Sequence, residues 1–196
     1  MGRILFGFII GLVCIPGAFL FWLHNSPLPV AVADKPLPYE DEITGKVLQD
    51  RINKELLQIP PLQPDDLTLV AGAHIYRDKC AVCHGYRGKP STLGENMYPA
   101  APPLWEKQNG PVVGVSNDLP GATYWKVANG IRLSGMPGFR TQLNDTEIWQ
   151  VSLLLSNANK PLPPEAISIL GPESPSVGGP TRTRGTPPPP ATTLDE

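Results

Sequence analysis

Residues 4–23, ILFGFIIGLVCIPGAFLFWL, contain no charge and show no polar face. Twenty helical residues at about 1.5 Å rise each span roughly 30 Å, the thickness of a bilayer's hydrocarbon core. The pattern predicts a membrane-crossing helix within an anchor segment, residues 1–24. Arg3 precedes the run and Trp22 stands where an interfacial aromatic belongs, so the charge bias puts Met1 in the cytoplasm and the rest of the chain outside. A cleaved signal peptide is the rival reading, because Ala31-Val32-Ala33 has the small-x-small form of a cleavage site. The apolar run is longer than the ~7–15 residues usual for a signal peptide and ends well before that site, which favours a retained anchor. Either reading exports the remainder of the chain. Cys14 lies inside the run as a small apolar residue, and Val13 before it is too large for a lipidation site.

Downstream the pattern becomes amphipathic. Prolines at positions 27, 29, 36, 38, 60, 61 and 64 stiffen residues 25–64 into an extended arm. Between Pro38 and Pro60 one helix is expected: Glu40, Asp41 and Glu42 suit its N-terminal dipole, and Leu48, Ile52, Leu56 and Ile59 form a narrow apolar stripe. That stripe suits a brace on the folded domain or a docking surface for a partner subunit. The stretch PDDLTLVAGAHIYRDKC predicts a second helix, capped by Asp65 or Asp66 and running into Cys80, with Gly72, Tyr76 and Cys80 on one face. In LNDTEIWQVSLLLSNANK, Asn144 caps, Glu147 completes a capping box, and Leu143 can staple to Ile148. Ile148, Val151 and Leu155 then face the core. A glycine on a buried face admits another helix closely, so these two helices are expected to cross near Gly72 and Trp149.

Composition divides the chain further. Twenty-five prolines and 19 glycines are too many for 196 residues that are compact throughout, and they gather outside the middle. Residues 161–196 are too poor in large apolar groups to offset the entropy of ordering and read as a disordered tail, with local polyproline II at residues 187–190. One folded domain, residues 65–160, remains. Its nine basic and eight acidic residues, within a chain of net charge −2, offer no excess for nucleic acid and only weak steering by net charge.

The chemistry concentrates in KCAVCHG, where Cys80, Cys83 and His84 fall within five positions. Structural zinc takes four N or S ligands, and this cluster leaves one missing, with His74 well upstream in the helix. A thioredoxin-like disulfide would need a βαβ setting that the sequence lacks. Haem needs neither: thiols at i and i+3 can add to two vinyl groups of one porphyrin, and the adjacent imidazole can bind the iron. For a second axial ligand, Met136 is bracketed by Gly135, which allows close approach of the backbone, and Pro137, which fixes φ just after it. Met97, in ENMYPAAP, reads as a loop or pocket residue.

In this order the motifs resemble those of the class I c-type cytochromes. CAVCH closes a helix bearing Gly72 and Tyr76, a Pro-x-Leu follows at Pro102 to Leu104, then NGIRLSGMPGF and a terminal helix with Trp149. The resemblance covers about residues 65–158. It implies thioethers at Cys80 and Cys83, His84 as proximal ligand, Met136 as distal ligand, and a Pro102 carbonyl that accepts the His84 Nδ1 proton and fixes the tautomer. Leu104 is implied to line the haem. Trp125 and Arg132 are candidates for its propionates, with a core indole and a solvated arginine as equal alternatives. TYWKVANGIRLSGMP is similar to single-haem cytochromes that serve membrane dehydrogenases and oxidases.

The expectation is an all-α protein: a small class I cytochrome c fold, its terminal helices crossing over one covalent haem c, behind a single-pass anchor in a bacterial inner membrane. Histidine and methionine saturate the iron, so it would pass electrons in the periplasm between redox protein partners, with no small-molecule substrate, no nucleic acid and no catalytic residue. Alternatives are a fixed haem subunit of a membrane oxidoreductase complex and a haem sensor whose methionine leaves.

Overall fold

The computed structural model describes residues 2–26, 28–57, 59–107 and 110–172, and among these it is helical without a strand. The first helix, α1 (Gly2–Asn25), contains the long apolar run, and its segment Phe6–Asn25 is long and apolar enough to cross a membrane. Pro16 lies within it, a placement that membrane helices tolerate better than soluble ones.

Helix α2 (Glu40–Glu55) follows the arm. Three of its acidic residues, Glu40, Asp41 and Glu42, occupy the first turn, where the helix dipole favours them. Lys46 with Asp50 and Arg51 with Glu55 form surface pairs one turn apart, at 2.9 and 2.7 Å. The apolar stripe is shorter than its spacing suggested: Ile52 is fully buried and Leu48 and Leu56 are half-buried, but the helix ends at Glu55 and leaves Ile59 exposed. The buried side packs on α6 (Pro120–Asn129), and the Leu57 carbonyl fills the space where Gly121 of α6 lacks a Cβ.

The core is built on α3 (Asp66–Ile75) and α7 (Asp145–Ser156). Asp65 caps α3 by accepting from the Thr68 N–H at 2.8 Å. Asn144 and Glu147 form the reciprocal capping box of α7, at 3.0 and 2.8 Å. The two helices meet at Gly72, where an added Cβ would stand 2.5 Å from the Gln150 carbonyl oxygen and 3.1 Å from the Leu154 Cβ. Trp149 takes a different part from the one its position suggested. One residue is a 100° rotation around a helix, so while Gln150 meets α3, the Trp149 ring turns to α6 and stacks on Tyr124 at 4.4 Å. The Tyr124 hydroxyl then donates to Asp145 at 2.6 Å, joining α6 to the first turn of α7.

Two features depart from the sequence reading. The helix entering Cys80 is not uniform: after α3 it widens into a π turn, Tyr76–Cys80, whose mark is the Ala81 N–H reaching back to the Tyr76 carbonyl, and then resumes as α4 (Ala81–His84). Such one-residue insertions recur at functional sites. The expected disordered tail is also corrected at its start, because Pro164–Leu170 form α8, packed on α3 with Ala166 and Leu170 fully buried. Arg77 donates to the Ile169 carbonyl and the Arg87 N–H to that of Leu170, both at 2.9 Å. The composition of the whole tail hid this short apolar group, AISIL, whose helix exists by tertiary burial. Residues 173–196 lie outside the described residues.

Two substitutions probe these contacts. Gly72→Ala is expected to destabilise the domain by about 1–3 kcal/mol through overpacking against a helix backbone. Leu170→Ala is expected to remove about 2–5 kcal/mol, the range for a buried leucine, whereas Leu67→Ala, at 83% exposure, should stay within about 0.5 kcal/mol. Thermal melts check all three, and a silent Leu170→Ala would return α8 to the tail.

Candidate haem site

Four segments converge around the attachment turn. The π turn delivers Cys80, and α4 carries Cys83 and His84 one turn on. Tyr76, fully buried, donates its hydroxyl to the Gly85 carbonyl at 2.8 Å, which fixes the backbone just after His84. Gly85 has φ of 78°, a conformation that glycine adopts without penalty. On the other side α5 (Thr92–Glu95) is held against the turn: the Ser91 hydroxyl donates to the Val82 carbonyl at 2.6 Å, and Gly94 rests on the Cys83 carbonyl oxygen, leaving no room for a Cβ.

His84 is oriented from the Pro102 segment, its Nδ1 lying 2.8 Å from the Pro102 carbonyl oxygen. A carbonyl accepts only, so Nδ1 carries the proton and Nε2 keeps its lone pair for a metal. Burial pushes the His84 pKa down and so favours the neutral ring that metals bind, against the opposing effect of that bond. Leu104, two residues on, is buried, and Gly114, with φ of 53°, lies against its backbone. Trp105 is a buried residue that the sequence reading passed over. Its ring meets Tyr76 edge-on at 5.4 Å.

Met136 is half-buried against the core in a loop that folds on itself. Gly130 turns the chain at φ 69° after α6, the Ile131 N–H donates to the Met136 carbonyl at 3.1 Å, and the Phe139 N–H returns to the Val127 carbonyl at 2.9 Å. Ser134 accepts from the Met136 N–H at 3.1 Å and donates to the Ile131 carbonyl at 2.7 Å. Its place two residues before Met136 is the local signal that would have found it, since short hydroxyl side chains bond nearby backbone. Leu133, 84% exposed, is held at φ 62°. A left-handed leucine costs about 1–2 kcal/mol, so the loop's bonds maintain a conformation that the residue alone avoids.

The propionate candidates are placed differently. The Trp125 N–H donates to Glu55 of α2 at 3.0 Å and is thereby engaged with the arm. Arg132 is exposed in the loop before Met136.

The donor set separates the three cofactor readings. Among the described residues no three His, Cys, Asp or Glu groups converge as a metal cage, and His74 is exposed on α3. Cys80 and Cys83 are unpaired, and burial, with the Cys83 charge adding, pushes the Cys80 thiol up to about 12. A thiol so firmly protonated is a poor redox nucleophile. What remains is a pair of thiols one helical turn apart, a neutral imidazole with a free Nε2 and a thioether, which fits haem. Among the described residues, the buried Trp105 Nε1 and Thr123 Oγ1 have no hydrogen-bond partner.

Residues 67–153 match the family model described as cytochrome c oxidase, cbb3-type, subunit III. This segment is a c-type cytochrome domain. Its function is haem-based electron transfer, and its haem c is covalently bound. No curated protein and no solved structure matches the chain. The cytochrome domain accounts for α3 to α7, whereas α2 and the part of α8 that packs beneath α3 lie outside the matched residues.

The arm contact yields a pH prediction. Glu55 is held below its ordinary 4.5 chiefly by the N–H that Trp125 donates, with Arg51 adding. A depressed folded-state value means that the bond stabilises arm docking above pH 4.5 and is lost as pH falls through the folded value. Protection factors of the amides in residues 40–56, with the intrinsic pH dependence of exchange divided out, should therefore be steady above that pH and fall below it. Trp125→Phe should show lower protection at neutral pH and a smaller change on acidification.

Proposed function

We propose that the protein would hold one haem c, through thioethers at Cys80 and Cys83, with His84 and Met136 as the residues that would ligate its iron and Leu104 against the ring. It passes single electrons on the outer face of the membrane in which α1 is anchored. The observation that carries the reading is the His84 to Pro102 contact at 2.8 Å, which aims a free Nε2 from α4, the helix that carries Cys83 and follows directly on Cys80. Haem supplies the one-electron chemistry. The chain supplies the rest: a fixed imidazole, a thioether on a closed loop, and apolar cover from Leu104. With His84 and Met136 both engaged, the iron would have no position left for a substrate, so the site would act as a carrier. A thioether favours ferrous iron and raises the potential, and burial acts in the same sense by disfavouring charge.

A second reading, a haem subunit held within a membrane oxidoreductase, is supported by the description of the matched family as an oxidase subunit. The docked arm agrees with it, because α2 ties the haem domain to the chain only 14 residues after α1 ends. Purification in mild detergent separates the two: a stoichiometric oxidase partner supports the fixed subunit, a lone chain the carrier.

Haem should stay with the polypeptide through a denaturing gel, and Cys80→Ala with Cys83→Ala should abolish the stained band. The mature protein should fractionate with membranes and retain Met1; a chain beginning at Asp34 would make the N-terminal segment a cleaved signal. Ferric wild type should show the weak sulfur-to-iron charge-transfer band, and the ferrous form should resist carbon monoxide. Met136→Ala should lose the band, bind carbon monoxide and fall in potential. Ready binding by wild type would instead favour a ligand sensor.

A further inference from the structure

Gly135 has an ordinary backbone, outside the positive-φ region that calls for glycine. What occupies the place of its side chain is a neighbour: an added Cβ would fall on the methyl of Met97 and lie 3.5 Å from its sulfur, so a side chain here would have to displace the Met97 tip. Met97, which reads from the sequence as a loop or pocket residue, thus seats its tip in a notch at Gly135, the residue before Met136. It is half-buried there.

The other end of this segment is fixed to the attachment turn. Ser91 bonds the Val82 carbonyl, Gly94 rests on the Cys83 carbonyl, and the Met97 N–H donates to the Gly94 carbonyl at 3.3 Å. The Met136 loop's own backbone bonds run within the loop or back to α6. Met97 therefore spans from the cysteine-bearing turn to the methionine-bearing loop.

We propose that Met97 is a positioning residue for the distal ligand: its methyl in the Gly135 notch couples the Met136 loop to the attachment turn and resists the loop's opening. This rests on Met136 being the distal ligand. A flexible thioether suits the task, filling an irregular gap without a fixed shape. Gly135 contributes by leaving the gap.

The test uses the full-length haem-loaded protein and imidazole as the competing ligand, with the sulfur-to-iron band as second readout. Met97→Ala should bind imidazole about tenfold more tightly, equivalent to ~1.4 kcal/mol of lost loop closure, and lose the band at lower imidazole. Gly135→Ala, which displaces the Met97 tip, should do the same, and the double variant should be no worse than either single. Met97→Leu, which keeps an apolar side chain of similar bulk, should lie near wild type. Wild-type imidazole affinity in Met97→Ala, or single effects that multiply in the double variant, would overturn the proposal; should Met97→Ala fail to fold, Gly135→Ala with Met97→Leu decides it. A wild-type protein without the sulfur band, or a band that survives Met136→Ala, would instead remove the underlying ligand assignment.

Discussion

Gly72 has no side chain, and the Gln150 backbone of α7 lies where one would be. Much else in the domain depends on that approach. With α3 and α7 in backbone contact, α3 projects the π turn with Cys80, and α4 with Cys83 beyond it, at a fixed angle, while the other side of α7 receives Tyr124 and so positions α6. The Met136 loop starts where α6 ends. The cysteine-bearing turn and the Met136 loop are thus held at the ends of two helices that share one partner, α7.

The electrostatics of the site favour neutral groups. Burial lowers the His84 pKa and raises those of Cys80 and Tyr76, so the unmodified pocket keeps imidazole, thiol and phenol uncharged. Neutrality suits a site that gains and loses one charge at iron, since each fixed neighbouring charge would bias the potential. The ion pair between Lys126 and Asp118 at 2.7 Å is partly exposed and serves the α6 side of the surface.

Helix α2 makes the arm part of the domain's surface. One end reaches Tyr98, whose pKa burial and the nearby Glu40 and Asp41 charges raise, and the other delivers Glu55 to Trp125 and Leu57 to Gly121. The helix therefore reads as a brace. Its opposite face keeps Ile43 and Val47 at least 60% exposed.

Features that depend on near neighbours in the chain were legible from the residues alone: the caps at Asp65 and Asn144, the thiols and imidazole of CAVCH, the bracket around Met136, and a fold class carried by motif order. Capping and helical spacing act over three or four residues, so such features can be read without knowing where the chain goes. The others needed the folded chain. Tertiary packing brought the Trp125 N–H to Glu55, 70 residues away, drew a short apolar group of the tail under α3 as α8, and placed Met97 in the notch at Gly135. Each is a contact between segments that carry no mark of one another, because burial and packing reward whatever surface the folded chain brings close, wherever in the sequence it comes from.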